Sequence, residues 1–138
     1  MTLDLQRAVA GLGALTCVGI AAELALASHW HAPVQVVPFV LAGLGVVGAG
    51  LGLAGRRGTA VVAGALALGG GFGIWEHLEH NYGFAAEIAP TASASELVGP
   101  ALVGANPLLA PGAFLLAAAL VYLGGRPRFD APGGGPPA

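Results

Sequence analysis

The stretch "PVQVVPFVLAGLGVVGAGLGLA", residues 33–54, carries no charged residue across 22 consecutive positions. A bilayer-spanning helix needs about 20 mostly apolar residues, so this segment predicts a transmembrane helix. Three further stretches, about residues 5–28, 59–80 and 105–124, have similar length and character. The chain of 138 residues is 56% hydrophobic and 9% charged, whereas a soluble domain carries about 25% charged residues. So few charges cannot cover a water-facing surface. The expected fold class is therefore all-α: an integral membrane four-helix bundle over residues 1–125. The Pro/Gly-rich tail "RPRFDAPGGGPPA", residues 126–138, is expected to be a disordered cytoplasmic segment. The link "AAEIAPTASASELVGPALVG", residues 85–104, is long enough for a short interfacial helix.

The cations fix an orientation. Lys is absent, and the five Arg are Arg7, before the first span, Arg56 and Arg57, between the second and third, and Arg126 and Arg128, after the fourth. With four crossings these places share one side, and positive charge marks the cytoplasmic side. Both termini are expected to be cytoplasmic, in a bacterial inner membrane. All four His then fall on the periplasmic side: His29 and His31 after the first span, His77 and His80 at the end of the third. The letters "ALAS", residues 25–28, resemble a signal-peptide cleavage site. Glu23 just before them and the length of the apolar run argue for a retained first span.

Glycine dominates the second and third spans. Residues 43, 45, 48, 50, 52 and 55 are Gly, and so are 64, 69, 70, 71 and 73. In lipid, helix association rests on close packing, and small residues such as the Gly48–Gly52 pair let backbones approach. This predicts packing within the bundle, contact with a partner subunit, or both. Pro107 and Pro111 suit a helix start and a kink in the fourth span.

One stretch breaks the apolar pattern. "GIWEHLEHNYGF", residues 73–84, places two Glu and two His within five positions. At about 100° per residue, Glu76, His77, Glu79 and His80 share one arc, opposite Trp75 and Leu78, and can face the bundle interior together. Trp30, Trp75 and Tyr82 suit an interfacial aromatic belt. Glu23 and Glu76 lie at a similar depth near the outer edge of the hydrocarbon, where a carboxylate inside a span is costly and marks a functional-site hypothesis. Imidazole with carboxylate suits zinc, iron or manganese, and imidazole alone also suits copper. The expected metal ligands are Glu23, Glu76, His77, Glu79 and His80, with His29 and His31 as further candidates, at a site between the first and third spans. Haem held by two His from different helices is an alternative cofactor. The paired Glu-x-x-His signature of di-iron bundles is absent, because position 79 is Glu. Two other function classes stand beside metal binding. One is an accessory subunit of a larger membrane complex, or a homo-oligomer, packing through Gly-rich helices. The other is an oligomeric proton or ion path lined by Glu23 and Glu76.

Other chemistry is poorly supported. The net charge of -2 and the lack of a basic stripe argue against nucleic-acid binding. "GLGVVGAG", residues 43–50, matches a dinucleotide-binding pattern by letters alone, without the strand that motif needs. The single Cys17 excludes an intrachain disulfide.

The pieces "ELALASHWHAPVQVVP", residues 23–38, and "ANPLLAPGAF", residues 105–114, place an acidic residue and His at the end of the first span. They also place Pro-containing openings at the second and fourth spans. This layout resembles small bacterial four-helix inner-membrane proteins of unknown function, although no Arg follows the first His here. The resemblance implies an architecture and no activity.

Overall fold

The structure, a computed structural model, describes residues 2–126, with side chains from Leu5 onward. The expected tail beyond Arg126 lies outside the described residues. Those residues form five helices and no strand: α1 (Thr2–Leu26), α2 (Pro33–Leu53), α3 (Thr59–Ile88), α4 (Ala94–Val103) and α5 (Leu109–Gly124). Three of them, α1, α2 and α3, are long and apolar enough to cross a membrane. The short helix expected in the third link is α4.

Two boundaries differ from the sequence reading. The third helix does not stop at His80 but continues through Ile88. Nothing in "NYGFAAEI" forces a stop, and the helix ends at Ala89, directly before Pro90, whose ring disfavours helical backbone in the preceding residue. At about 1.5 Å per residue, its 30 residues reach about 45 Å, well beyond the roughly 30 Å hydrocarbon core. The fourth apolar segment is helical only from Leu109, so α5 has 16 residues, or about 24 Å. Residues 105–108, expected to open this span as helix, instead form the turn into it.

The helix ends follow local chemistry. α2 closes with a Schellman pair: Arg56 N–H donates to Leu51 O at 2.9 Å and Gly55 N–H to Gly52 O at 3.0 Å. Gly55 supplies the left-handed residue this motif requires, at φ 63°. α1 closes in the same way, with His29 N–H on Leu24 O at 2.9 Å and Ser28 N–H on Ala25 O at 3.0 Å. There the left-handed position is filled by Ser28, at φ 52°. α4 starts with Glu96 reaching back, its Oε2 accepting from both the N–H and the hydroxyl of Ser93 at 2.7 Å. These two bonds stabilise the carboxylate and lower the Glu96 pKa.

A single core is drawn from four helices: Cys17 and Ile20 of α1, Ala42 and Ala49 of α2, Ala63 and Leu66 of α3, and Phe114, Ala117, Ala118 and Val121 of α5. α5 packs against α1, α2 and α3, and α2 lies between α1 and α3. Among the described residues, α1 and α3 occupy opposite corners and their backbones are not adjacent, so they meet only through core side chains. The core is built largely of Ala and Gly because the backbones approach closely. A methyl group on Gly48 would lie 2.6 Å from Val62 Cγ1 and 3.0 Å from Val121 Cγ1. One on Gly52 would meet the Gly125 backbone at 3.3 Å. The Gly48–Gly52 pair therefore acts inside the molecule.

Candidate functional site: the polar outer end of α3

The inward row of α3 sets the geometry here. Leu66, Gly70, Gly73, His77, Asn81 and Ala85 recur at helical spacing and are buried or half-buried. His77 is the one member of the Glu/His cluster on this row. Glu76 is half-buried beside it, while Glu79 and His80 are exposed. The expectation that all four face the interior together is thus corrected. The buried row at this end is occupied by Asn81, and steps of about 100° and 200° back from it carry His80 and Glu79 outward.

His77 has a defined partner. Its Nδ1 lies 2.9 Å from the carbonyl oxygen of Pro107. A carbonyl only accepts, so Nδ1–H is the donor, and in the neutral ring this leaves Nε2 as the nitrogen with the lone pair. The reason this carbonyl is free lies in the spacing of two prolines. In helical geometry the N–H of residue 111 would be the natural donor to residue 107, and Pro111 has none. His77 supplies the missing donor. Pro111 is buried and packs onto α3, where a methyl group on Gly73 would lie 2.8 Å from its Cβ. His80 uses Nδ1 in a similar way, at 3.0 Å from the carbonyl of Glu76 one turn earlier in its own helix.

Asn81 is the most connected side chain at this end. It is 3% exposed, and with Thr59 it makes up the buried polar residues among those described. Its Nδ2 donates to Ala101 O and to Asn106 O, both at 3.0 Å. Its Oδ1 accepts from the Asn106 N–H at 3.0 Å and from the Asn106 Nδ2 at 3.2 Å. Both donor hydrogens and both acceptor positions of the amide are used. One residue thereby ties α3 to the end of α4 and to the turn before α5. Gly104 makes room for it, since a methyl group there would collide with the Asn81 amide. This lock is absent from the sequence reading, although "HNYGF" places a lone Asn on the same face as His77. The i, i+4 pair Pro107 and Pro111 was the available signal that a backbone carbonyl nearby needs a side-chain donor.

The remaining candidates stand apart. Glu23 is exposed near the end of α1, His29 is half-buried as the last residue of the Schellman turn, and His31 is exposed. The Trp30 ring lies 6.3 Å from the His31 ring and 6.4 Å from Phe39. Because the backbones of α1 and α3 are not adjacent, Glu23 and Glu76 are not brought together as a pair. Among the described residues, no group of three or more His, Cys, Asp or Glu is placed to hold a metal ion. No protein-family model, curated protein or solved structure matches the chain.

Proposed function

We propose that the chain is a structural subunit of a larger membrane assembly: a four-helix bundle of the bacterial inner membrane with both termini and all five Arg on the cytoplasmic side. The short α5 fits this topology because the non-helical turn before it is hydrogen-bonded by Asn81, and irregular backbone at membrane depth is tolerated where protein satisfies it. The observation that carries the reading is a second row of small residues on α3, separate from the inward one. Ala60, Gly64, Ala67 and Gly71 follow one another at steps of four, three and four, and all four are exposed. Methyl groups on Gly64 or Gly71 would meet nothing within 4 Å. The inward glycines are filled by neighbouring helices, and this outward row is open to another transmembrane helix of the kind that packs on small residues in lipid. The polar end of α3, on this view, serves as the hydrogen-bonded closure of the bundle.

Native mass spectrometry of untagged protein in mild detergent tests the proposal. The wild type is expected to carry further subunits. A Gly64→Leu/Ala67→Leu variant is expected to run as a single chain with an unchanged unfolding midpoint. A wild type that runs as a single chain overturns the reading.

A second reading, transition-metal binding, is favoured by one observation. His77 and His80 both engage Nδ1 on backbone carbonyls, the arrangement that orients metal-ligating imidazoles and leaves Nε2 free. Glu76 and Glu79, or His29 and His31, would complete the ligand set for zinc, iron, copper or manganese, and haem would take one His from each group. Stoichiometric metal in the wild type, lost on His80→Ala with helicity intact, supports this reading. Metal-free protein from cells grown with all four metals overturns it.

A further inference from the structure

At the opposite end of the helices the chain encloses an open cavity of about 700 Å³. It is bordered by the start of α1, the α2–α3 turn and the end of α5. Four arginines, Arg7, Arg56, Arg57 and Arg126, line it. The described carboxylates that could neutralise them, Glu23, Glu76, Glu79, Glu87 and Glu96, are all at the other end or on α4. Arg126 is placed over the Tyr122 ring at 5.1 Å, and its backbone carbonyl accepts from Gln6 Nε2 at 3.2 Å. Thr59 is a second and independent feature of the cavity. It is 6% exposed and borders the cavity. Its hydroxyl has no hydrogen-bond partner among the described groups, yet it is not sealed from the cavity. The hydroxyl is therefore free to donate into the cavity. Thr59 is also the first residue of α3, where backbone N–H groups lack helical acceptors and favour an anion.

From this arrangement we propose that the cavity binds a phosphate group, supplied by an anionic lipid headgroup of the leaflet in which this end of the bundle sits. The guanidinium groups provide the charge and the fork-shaped donors that suit phosphate oxygens. The Thr59 hydroxyl provides a directed donor within the cavity. Four arginines around a concavity at the membrane edge, with no carboxylate among its described lining residues, also match the juxtamembrane cationic clusters that recognise acidic headgroups.

The test uses the full chain in nanodiscs of phosphatidylcholine with or without phosphatidylglycerol, followed by native mass spectrometry of retained lipid and by thermal unfolding. A separate arm titrates inorganic phosphate in phosphatidylcholine alone. Retention of phosphatidylglycerol is expected, with Arg56→Gln/Arg57→Gln weakening it about 30-fold. Thr59→Val keeps every charge and is expected to weaken retention severalfold, which a diffuse electrostatic attraction would not do. Circular dichroism in phosphatidylcholine checks that both variants remain folded, and Arg126→Gln provides a third variant outside the turn. Stabilisation by inorganic phosphate without lipid preference would support the site and name free phosphate as its source. Equal retention of the two lipids with no phosphate effect would overturn the proposal, as would phosphatidylglycerol retention unchanged in all three variants.

Discussion

Replacing Asn81 by leucine keeps the γ-branched shape of the side chain, adds some volume, and removes all four of its hydrogen bonds. Two carbonyls, Ala101 O and Asn106 O, and the Asn106 N–H then lose their partner within the protein. Each intramolecular hydrogen bond contributes about 1 kcal/mol net, and a buried group left unpaired costs about 1–3 kcal/mol. Some relief comes from water reaching the half-buried Asn106. The expected loss is therefore roughly 3–4 kcal/mol, large for a single substitution. The assay is equilibrium unfolding in mixed micelles with increasing SDS fraction, followed by circular dichroism. Asn81→Asp is the companion variant: it retains the acceptor contacts to Asn106 but turns two donor contacts into oxygen facing oxygen, so it is expected to be at least as damaging. Amide exchange should localise the defect to α4 and the start of α5, with the α1–α2 pair unaffected. A loss below about 1 kcal/mol for Asn81→Leu, within the range of an ordinary surface change, would refute the lock.

Further outcomes follow from the same geometry. Gly48→Ala is expected to destabilise by roughly 1–3 kcal/mol through its clash with Val62 and Val121. Gly50→Ala, with nothing within 4 Å, should be neutral or stabilising by up to about 1 kcal/mol, and the same unfolding assay compares them. Ser28→Gly relieves a left-handed residue at φ 52°. Relief of about 1–2 kcal/mol, offset by the greater unfolded-state freedom of Gly, leaves a gain of roughly 0.5–1 kcal/mol by thermal unfolding. The Glu96 pKa is lowered by its two bonds from Ser93, so its contribution to α4 is present above the ordinary carboxylate range. That contribution is lost as pH falls through the lowered value. Amide exchange in α4 should accelerate on acidification in the wild type and lose that pH dependence in Glu96→Gln.

The long apolar runs made the helices legible, because absence of charge over a membrane's width is a composition signal that needs no tertiary knowledge. The end of α3 was not legible. The polar letters at 76–80 suggested a boundary, yet a helix that leaves the hydrocarbon can continue in water until Pro90 stops it. The polar cluster was legible as a location and misleading as a unit. Helical angles put Glu79 and His80 on a shared arc with His77, but which part of that arc faces inward depends on Pro111 and Phe114 packing against Gly70 and Gly73. Asn81 was overlooked because its value comes from partners 20 to 25 residues away. The glycines show the same division: their number announced close packing, and only the fold separates those facing a neighbour from those facing outward.

The most direct test of the proposed role is site-specific photo-crosslinking in native membranes, with a benzophenone maleimide attached at Ala67→Cys or Leu68→Cys. Cys17 is fully buried, so labelling is directed to the introduced thiol. Ala67 lies on the outward small-residue row, and the exposed Leu68 points about 100° away. The account predicts a discrete protein adduct from position 67 and predominantly lipid adducts from position 68. Lipid adducts alone from both positions would contradict it.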